Sequence, residues 1–119
     1  MSVLTELEFW KLQDEKSHTD LQRDTHWRDR VAGQTISWRG AVSRIEQVGQ
    51  EIQTEVVMHI ADGKSVWIHF RVPLIELDHY LRFSPGIEVE VTGTFPKQRP
   101  ADKAGIGYPI VGGHIRFVD

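Results

Sequence analysis

The sequence contains no cysteine, and this absence excludes several kinds of site at once. A disulfide framework, a thiol nucleophile, an iron–sulfur cluster and a cysteine zinc site all require that residue. Long apolar runs are also missing, since none approaches the roughly 20 residues of a membrane-spanning helix. We therefore expect no membrane span. The first residues show no basic segment followed by an apolar one, so we expect a cytoplasmic protein.

An excess of positive charge is absent as well. The 119 residues include 14 Lys and Arg against 17 Asp and Glu, which gives a net charge of −3. A mildly acidic chain is not a general polyanion binder, so any nucleic-acid site has to be a local basic patch. The length is typical of one domain and is sufficient for a core without disulfides or a structural metal.

Motifs of common catalytic sites are missing too. The sequence has no nucleophile elbow, no phosphate-binding loop and no dinucleotide-binding glycine pattern. The 6 histidines show neither H-x₃-H nor H-E-x-x-H spacing, so we interpret them as isolated surface residues rather than metal ligands. The sequence therefore predicts a protein that is not an enzyme and that holds no metal or cofactor.

What is present begins with a helical arm, which we define as residues 1–32. Its apolar residues repeat with the 3.6-residue period of amphipathic helices. Ser2 is the candidate N-cap of a first helix, and Ser17 begins an S-x-x-[DE] start signal for a second. Gly33 follows the last helical residue and suits the left-handed conformation that often ends a helix.

The apolar period changes to two after Gly33, which is typical of half-buried β-strands. This alternation predicts five strands, over residues 35–48, 51–60, 64–72, 87–95 and 114–118. A break in the alternation between Gly40 and Arg44 predicts a bulge in the first strand. A short helical pattern over residues 74–81 separates the third strand from the fourth.

The second and third strands form a predicted hairpin whose register follows from burial. Directly opposed residues share one face, so core residues have to oppose core residues. A three-residue loop over 61–63 meets this condition by pairing Met58 with Val66, and it places Gly63 at a left-handed position. The outward pairs are then Val57–Trp67, Glu55–His69 and Gln53–Arg71.

Three strands, a short helix and two further strands resemble the OB-fold, a five-stranded β-barrel. The resemblance is carried by residues 36–42, a strand that bends at Gly40, and by residues 85–95, which look like the fourth strand. It covers about residues 33–119 and is closest to the tRNA-anticodon-binding-like and single-stranded nucleic-acid-binding branches. It implies a mainly β protein in which the helical arm packs on or beside a five-stranded OB-fold-like barrel.

The outward face of the second and third strands is the first candidate for a nucleic-acid interface. Trp67 offers a ring on which a base can stack, an interaction worth about 1–3 kcal/mol per base, and His69 and Arg71 lie beside it. The resemblance implies ligand binding on this face. In the alternative interpretation the helical arm covers the face and buries Trp67. Acidic residues nearby would repel phosphate, namely Glu55, Glu88 and Glu90.

The loop between the last two predicted strands is the second candidate. Lys97, Arg99 and Lys103 carry the positive charge that phosphate contacts need, and Tyr108 can stack on a base. Arg39, on the first strand, extends this basic patch, as does Arg44. The alternative is a solvated loop without a partner.

Two functions remain open from the sequence. The first is a small non-enzymatic OB-fold-like binding module for single-stranded DNA or RNA. The second is a protein-interaction or self-assembly module in which Phe9, Trp10 and Trp27 contact a partner or a second copy, since Trp is enriched at interfaces. We favour a structural role for these three aromatic residues, which would pack them on one end of the barrel.

Overall fold

The computed structural model of the protein describes residues 3–61, 63–100 and 107–118. The elements follow the order α1 (Glu6–Gln13), α2 (Asp20–His26), β1 (Thr35–Val48), β2 (Glu51–Ala61), β3 (Lys64–Pro73), α3 (Leu77–Tyr80), β4 (Glu88–Thr94), β5 (Tyr108–Pro109) and β6 (Val111–Phe117). A π-helical stretch, Trp27–Val31, continues α2, and a 3₁₀ turn, Leu74–Glu76, precedes α3. The protein is therefore mainly β with helices, as predicted.

The strands form one mixed sheet in the order β5-β3-β2-β1-β4-β6. All neighbours are antiparallel except β5, which runs parallel to β3 in the segment that we expected to be a loop. Among the described residues the pairings define a six-stranded sheet and not a closed five-stranded barrel. The two end strands, β5 and β6, are nevertheless consecutive in the chain, with Ile110 alone between them.

The predicted register of the hairpin is confirmed. Met58 lies opposite Val66 inside the core, and Gly63 has a left-handed φ of +74°. Opposed residues share a face because the side chains of a strand alternate, so this pairing also fixes which side chains point outward. The outward pairs are those predicted: Val57–Trp67, Glu55–His69 and Gln53–Arg71.

Two irregularities interrupt the strand pairing. The predicted bulge in β1 is present, because the register with β2 shifts between Val42 and Arg44. A second shift near the hairpin turn pairs Ala61 with Lys64, so β2 is one residue longer than the alternation indicated. The central residue of the predicted loop, Asp62, lies outside the described residues.

The inward-facing side chains of the strands form the core. They are mostly branched aliphatic or aromatic, which suits a pleated surface that is buried on one side. This part of the core consists of Ile36, Trp38, Val42, Ile52, Val56, Met58, Val66, Ile68, Phe70, Val72, Val89, Val91 and Ile115. Gly113 of β6 lies directly against the ring of Phe70, where a Cβ atom has no room, so β6 crosses the core close to β3.

The helical arm inserts Phe9 into the same core. Its ring stacks on Phe95 and meets Tyr108 edge-on, each at a centroid distance of 4.8 Å. Trp38 and Trp27 complete what we call the aromatic cluster, at 5.7 and 6.0 Å from Phe9. Such pairs contribute about 0.5–1.5 kcal/mol each beyond the area they bury.

The favoured packing interpretation holds for Phe9 and Trp27, because both side chains are buried in the core of their own chain and are not open to a partner. Trp10 is only partly buried, and the ammonium of Lys64 lies 4.4 Å from its ring centroid. The structure thus shows the packing interpretation for two of the three aromatic residues of the helical arm.

Hydrogen bonds also tie the helical arm to the sheet. The indole N–H of Trp38 donates to the carbonyl of Leu4, and that of Trp27 donates to the carbonyl of Pro96, each at 3.0 Å. Both indole donors are therefore satisfied at buried or partly buried positions, where an unpaired donor would cost about 1–3 kcal/mol.

The helix caps differ from those expected. Thr5 caps α1 by accepting from the amide of Glu8, while Ser2 lies outside the described residues. Thr19, rather than Ser17, caps α2 and forms a capping box with Gln22. The hydroxyl of Ser17 does not cap a helix but donates to the carboxylate of Asp14 in the turn between the helices.

Two other predicted features of the helical segments are present in the structure. Gly33 follows the arm with a φ of +75°, and the short helix before β4 is present as Leu74–Glu76 followed by α3.

Among the described residues, none of the helices is both long enough and apolar enough to cross a membrane.

The first prediction concerns the aromatic cluster. We expect Phe9→Ala to lower the free energy of unfolding by about 3–5 kcal/mol, because it leaves a cavity among four aromatic rings. Leu21→Ala, at a side chain that is 76% exposed, should change it by about 0.5 kcal/mol or less. Chemical denaturation of both variants measures the difference, and equal effects would contradict the buried position of Phe9.

The second prediction concerns pH. Burial raises the pKa of Tyr80 from 10.0 to about 12, and the charge of Glu76 adds to the shift. The unfolded chain loses this proton first, so stability is complete below about pH 10 and falls as the pH rises towards 12. Tyr80→Phe should reduce this alkaline loss in denaturation midpoints measured from about pH 8 to about pH 11.5. Identical pH dependence in both proteins would show that Tyr80 is not the group responsible.

Candidate nucleic-acid interface

A groove of about 610 Å³ lies on the outward face of the sheet and is walled by Ser43, Arg44, Glu55, Trp67, Gly107 and Tyr108. We call it the Trp67 groove. Trp67 is 41% exposed, so the alternative in which the helical arm buries this residue is wrong. Its ring offers an accessible apolar surface in an open groove, which is the geometry that base stacking needs.

The two aromatic walls of the groove come from different strands. Trp67 points outward because it alternates with the core residues Val66 and Ile68 along β3. Tyr108 pairs through β5 with Ile68, a core residue, and its ring packs against Phe9 and Trp27, while the residue also borders the groove. The Tyr108 ring is half-buried because it also contacts Phe9 of the aromatic cluster.

Gly107 permits this close approach of β5 to β3. It has a φ of +78°, and a Cβ atom at this position would lie 2.6 Å from the backbone oxygen of Trp67. Both the left-handed backbone and the lack of space require glycine here.

His69 is the second predicted site residue on this face, and its surroundings favour the neutral form. Burial lowers its pKa below the usual 6.5 and outweighs the opposing effect of Glu55, while Arg71 lowers it further. A neutral imidazole offers one donor and one acceptor rather than a positive charge. His69 is therefore suited to hydrogen bonding and not to neutralising phosphate.

The cations near the groove are held only loosely. A guanidinium nitrogen of Arg44 lies 3.7 Å from a Glu46 carboxylate oxygen, and one of Arg71 lies 3.6 Å from Glu51. Arg71 also donates to the side-chain oxygen of Gln53 at 3.2 Å. Exposed ion pairs of this kind are worth about 0–1 kcal/mol, so either arginine can turn to a phosphate group at little cost.

The remaining predicted contacts are not gathered at the groove. Arg39 is exposed on β1, and by strand spacing its Cα lies about 12 Å from that of Trp67. Lys97 is exposed beyond the end of β4. Arg99 does not line the groove: its side chain is 9% exposed, and its Nε lies 2.6 Å from a carboxylate oxygen of Asp24. Lys103 lies outside the described residues.

Sequence reasoning missed three walls of the groove. Ser43 stands at the β1 bulge, and the break in alternation was the signal that marked it. Gly107 could be identified from the sequence only as a loop glycine next to Tyr108, which does not indicate a role in a groove. Glu55 was assigned to the right face, but it was interpreted only as a group that repels phosphate.

Histidine pairs occur in two places that the sequence did not indicate. The rings of His18 and His26 meet at a centroid distance of 5.0 Å, and those of His79 and His114 stack at 4.9 Å. Within the part of the chain that the structure describes, no group of three or more His, Asp or Glu side chains is placed to hold a metal ion.

The sequence matches no model of a known protein family, and no curated protein matches it either. The function therefore has to be argued from the groove and its surroundings.

The third prediction tests the contact between Gly107 and Trp67. Gly107→Ala should destabilise the protein for two reasons: alanine is strained at a left-handed φ, and its Cβ atom would clash with Trp67. Gly49→Ala introduces only the strain of the left-handed φ, since nothing lies within 4 Å of a Cβ atom there. We expect Gly107→Ala to cost at least about 1 kcal/mol more, the lower end of the usual cost of overpacking. Equal free energies of unfolding for the two variants would contradict the close approach.

Proposed function

We propose that this protein is a non-enzymatic binding module for single-stranded nucleic acid and that the strand crosses the Trp67 groove. The observation that carries the proposal is the exposed ring of Trp67, which shares a groove with Tyr108 and Arg44. An aromatic platform bordered by loosely held cations is the combination that single-strand binding uses.

The proposal includes a barrel of the OB type. The segment from β5 to β6 joins the two ends of the strand order, and the amide of Ile110 donates to the carbonyl of His69 at 3.1 Å. Gly113 then packs against Phe70 of β3 while β6 pairs with β4. These contacts support a continuous last strand that runs between β3 and β4, which is how such a barrel closes.

Binding by this surface should be of moderate strength and sensitive to salt. Each stacked base contributes about 1–3 kcal/mol. Each neutralised phosphate of a single strand adds about −0.7 to the slope of log K against log salt. Arg44 and Arg71 border the same face, so we expect a shallow slope that reflects a few phosphate contacts.

The fourth prediction tests the platform. Fluorescence anisotropy with a labelled mixed-sequence oligonucleotide, as DNA and as RNA, should show binding that weakens as salt is raised. Trp67→Ala should weaken it about 5-fold to 150-fold, the equivalent of 1–3 kcal/mol, without loss of the folded state. Trp67→Phe keeps an aromatic face and should retain most of the affinity.

A matched control is available at Leu81, an apolar side chain that is 70% exposed on another part of the surface. Leu81→Ala should leave oligonucleotide binding unchanged. Binding that ignores both salt and Trp67→Ala, or no binding at low salt, would overturn the proposed function.

A protein-interaction module remains the second candidate, although on a different surface from the one predicted. Ile75 is 91% exposed and Leu81 is 70% exposed, one on each side of α3. Leu77, which is 38% exposed, lies between them in the chain, and exposed apolar surface favours contact with another protein. Light scattering that shows self-association, abolished by Ile75→Ser, would favour this candidate over oligonucleotide binding.

A further inference from the structure

The Glu55 carboxylate is the unexplained group of the Trp67 groove. It is half-buried in the groove wall, and among the described residues it forms neither a hydrogen bond nor an ion pair. Arg44 lies directly opposite Glu55 on β1, but its guanidinium pairs with Glu46 at 3.7 Å. On the other side His69 lies opposite Glu55, and burial lowers the pKa of this histidine even though the charge of Glu55 raises it. A half-buried carboxylate without a hydrogen bond gains from a ligand that brings hydrogen-bond donors.

The strand register places this carboxylate beside the stacking platform. Glu55 lies opposite His69, and Trp67 lies opposite Val57 on the same face, so Glu55 and Trp67 are diagonal neighbours across the hairpin. Such positions are about 7–8 Å apart, within reach of long side chains. A base stacked on Trp67 would therefore turn one edge towards Glu55.

The negative charge also determines which part of a strand lies there. A phosphate beside Glu55 would meet a like charge at short range, which is unfavourable. The base must consequently point into the groove while the backbone passes nearer to Arg44 and Arg71, the cations on the same face.

The chemistry of a carboxylate distinguishes among the bases. Both oxygens only accept hydrogen bonds, so they require two adjacent donors. The Watson–Crick edge of guanine presents the N1–H and N2–H₂ donors side by side, whereas those of adenine and cytosine place a ring acceptor beside the amino group. Uracil and thymine offer one N–H between two carbonyls. Guanine is therefore the base that can make two parallel bonds to Glu55.

We infer that the Trp67 groove selects guanine in a single strand, with the base stacked on Trp67 and its Watson–Crick edge bound by the Glu55 carboxylate. This inference rests on the proposed function, and it names the base that the groove recognises.

The fifth prediction tests this selectivity with labelled thymine oligonucleotides that carry one central guanine, adenine, cytosine or hypoxanthine. A single guanine prevents the strand from forming guanine quartets. The guanine oligonucleotide should bind about fivefold or more tightly than those with adenine or cytosine, the lower end of what a bidentate base contact provides. Hypoxanthine, which lacks the 2-amino group, should bind more weakly than guanine.

Two variants that each remove one negative charge assign the effect to Glu55. Glu55→Gln should bring the four oligonucleotides to within about twofold of one another, because an amide offers one acceptor oxygen instead of two. Glu46→Gln, on the same face but not among the groove walls, should preserve the preference for guanine. Loss of the preference in both variants would show that net charge, and not Glu55, is responsible.

The remaining outcomes separate the inference from the proposed function. Equal binding of all four oligonucleotides by the unmodified protein would overturn guanine selection and leave single-strand binding intact. No binding of any of them would overturn both. Competition by free GMP as strong as that by the guanine oligonucleotide would assign the groove to a free nucleotide and overturn recognition within a strand.

Discussion

The contact of Phe9 with the other rings of the aromatic cluster is the interaction on which the rest of the structure depends. It joins α1 to Phe95 at the end of β4 and to Tyr108 of β5. Tyr108 is also a wall of the Trp67 groove, so the helical arm supports one side of the candidate interface without supplying a group to it. The helical arm and the sheet therefore contribute side chains to one shared core.

The parts of the fold that could be predicted are those with a local signal. A strand buried on one face repeats every two residues, so the opposition of Met58 and Val66 followed from the pattern alone. The β1 bulge was visible for the same reason, as a break in that repeat. Strand β5 was not predictable, because two residues, one of them Pro109, have no period, and the strand exists only through its pairing with the distant β3.

The site was predictable to a similar extent. Trp67 and Tyr108 were identified from residue type and position, and both stand in the groove. Arg99 was not at the interface, because its charge is paired with Asp24, 75 residues away in the sequence, and a pattern of charges does not reveal such pairing. Glu55 shows the converse. Its charge and face follow from the sequence, but only the structure shows that Arg44, which lies opposite it, pairs with Glu46 instead.

The unequal burial of the tryptophans has a spectroscopic consequence. Trp27 and Trp38 are buried and donate their indole N–H groups to backbone carbonyls, whereas Trp67 faces solvent. A water-soluble quencher such as iodide should reach the Trp67 indole and leave those two emitters almost untouched. Trp10 is only partly buried, so a Trp10→Phe variant would make quenching report on Trp67 and show, without an attached dye, whether the groove is empty or filled.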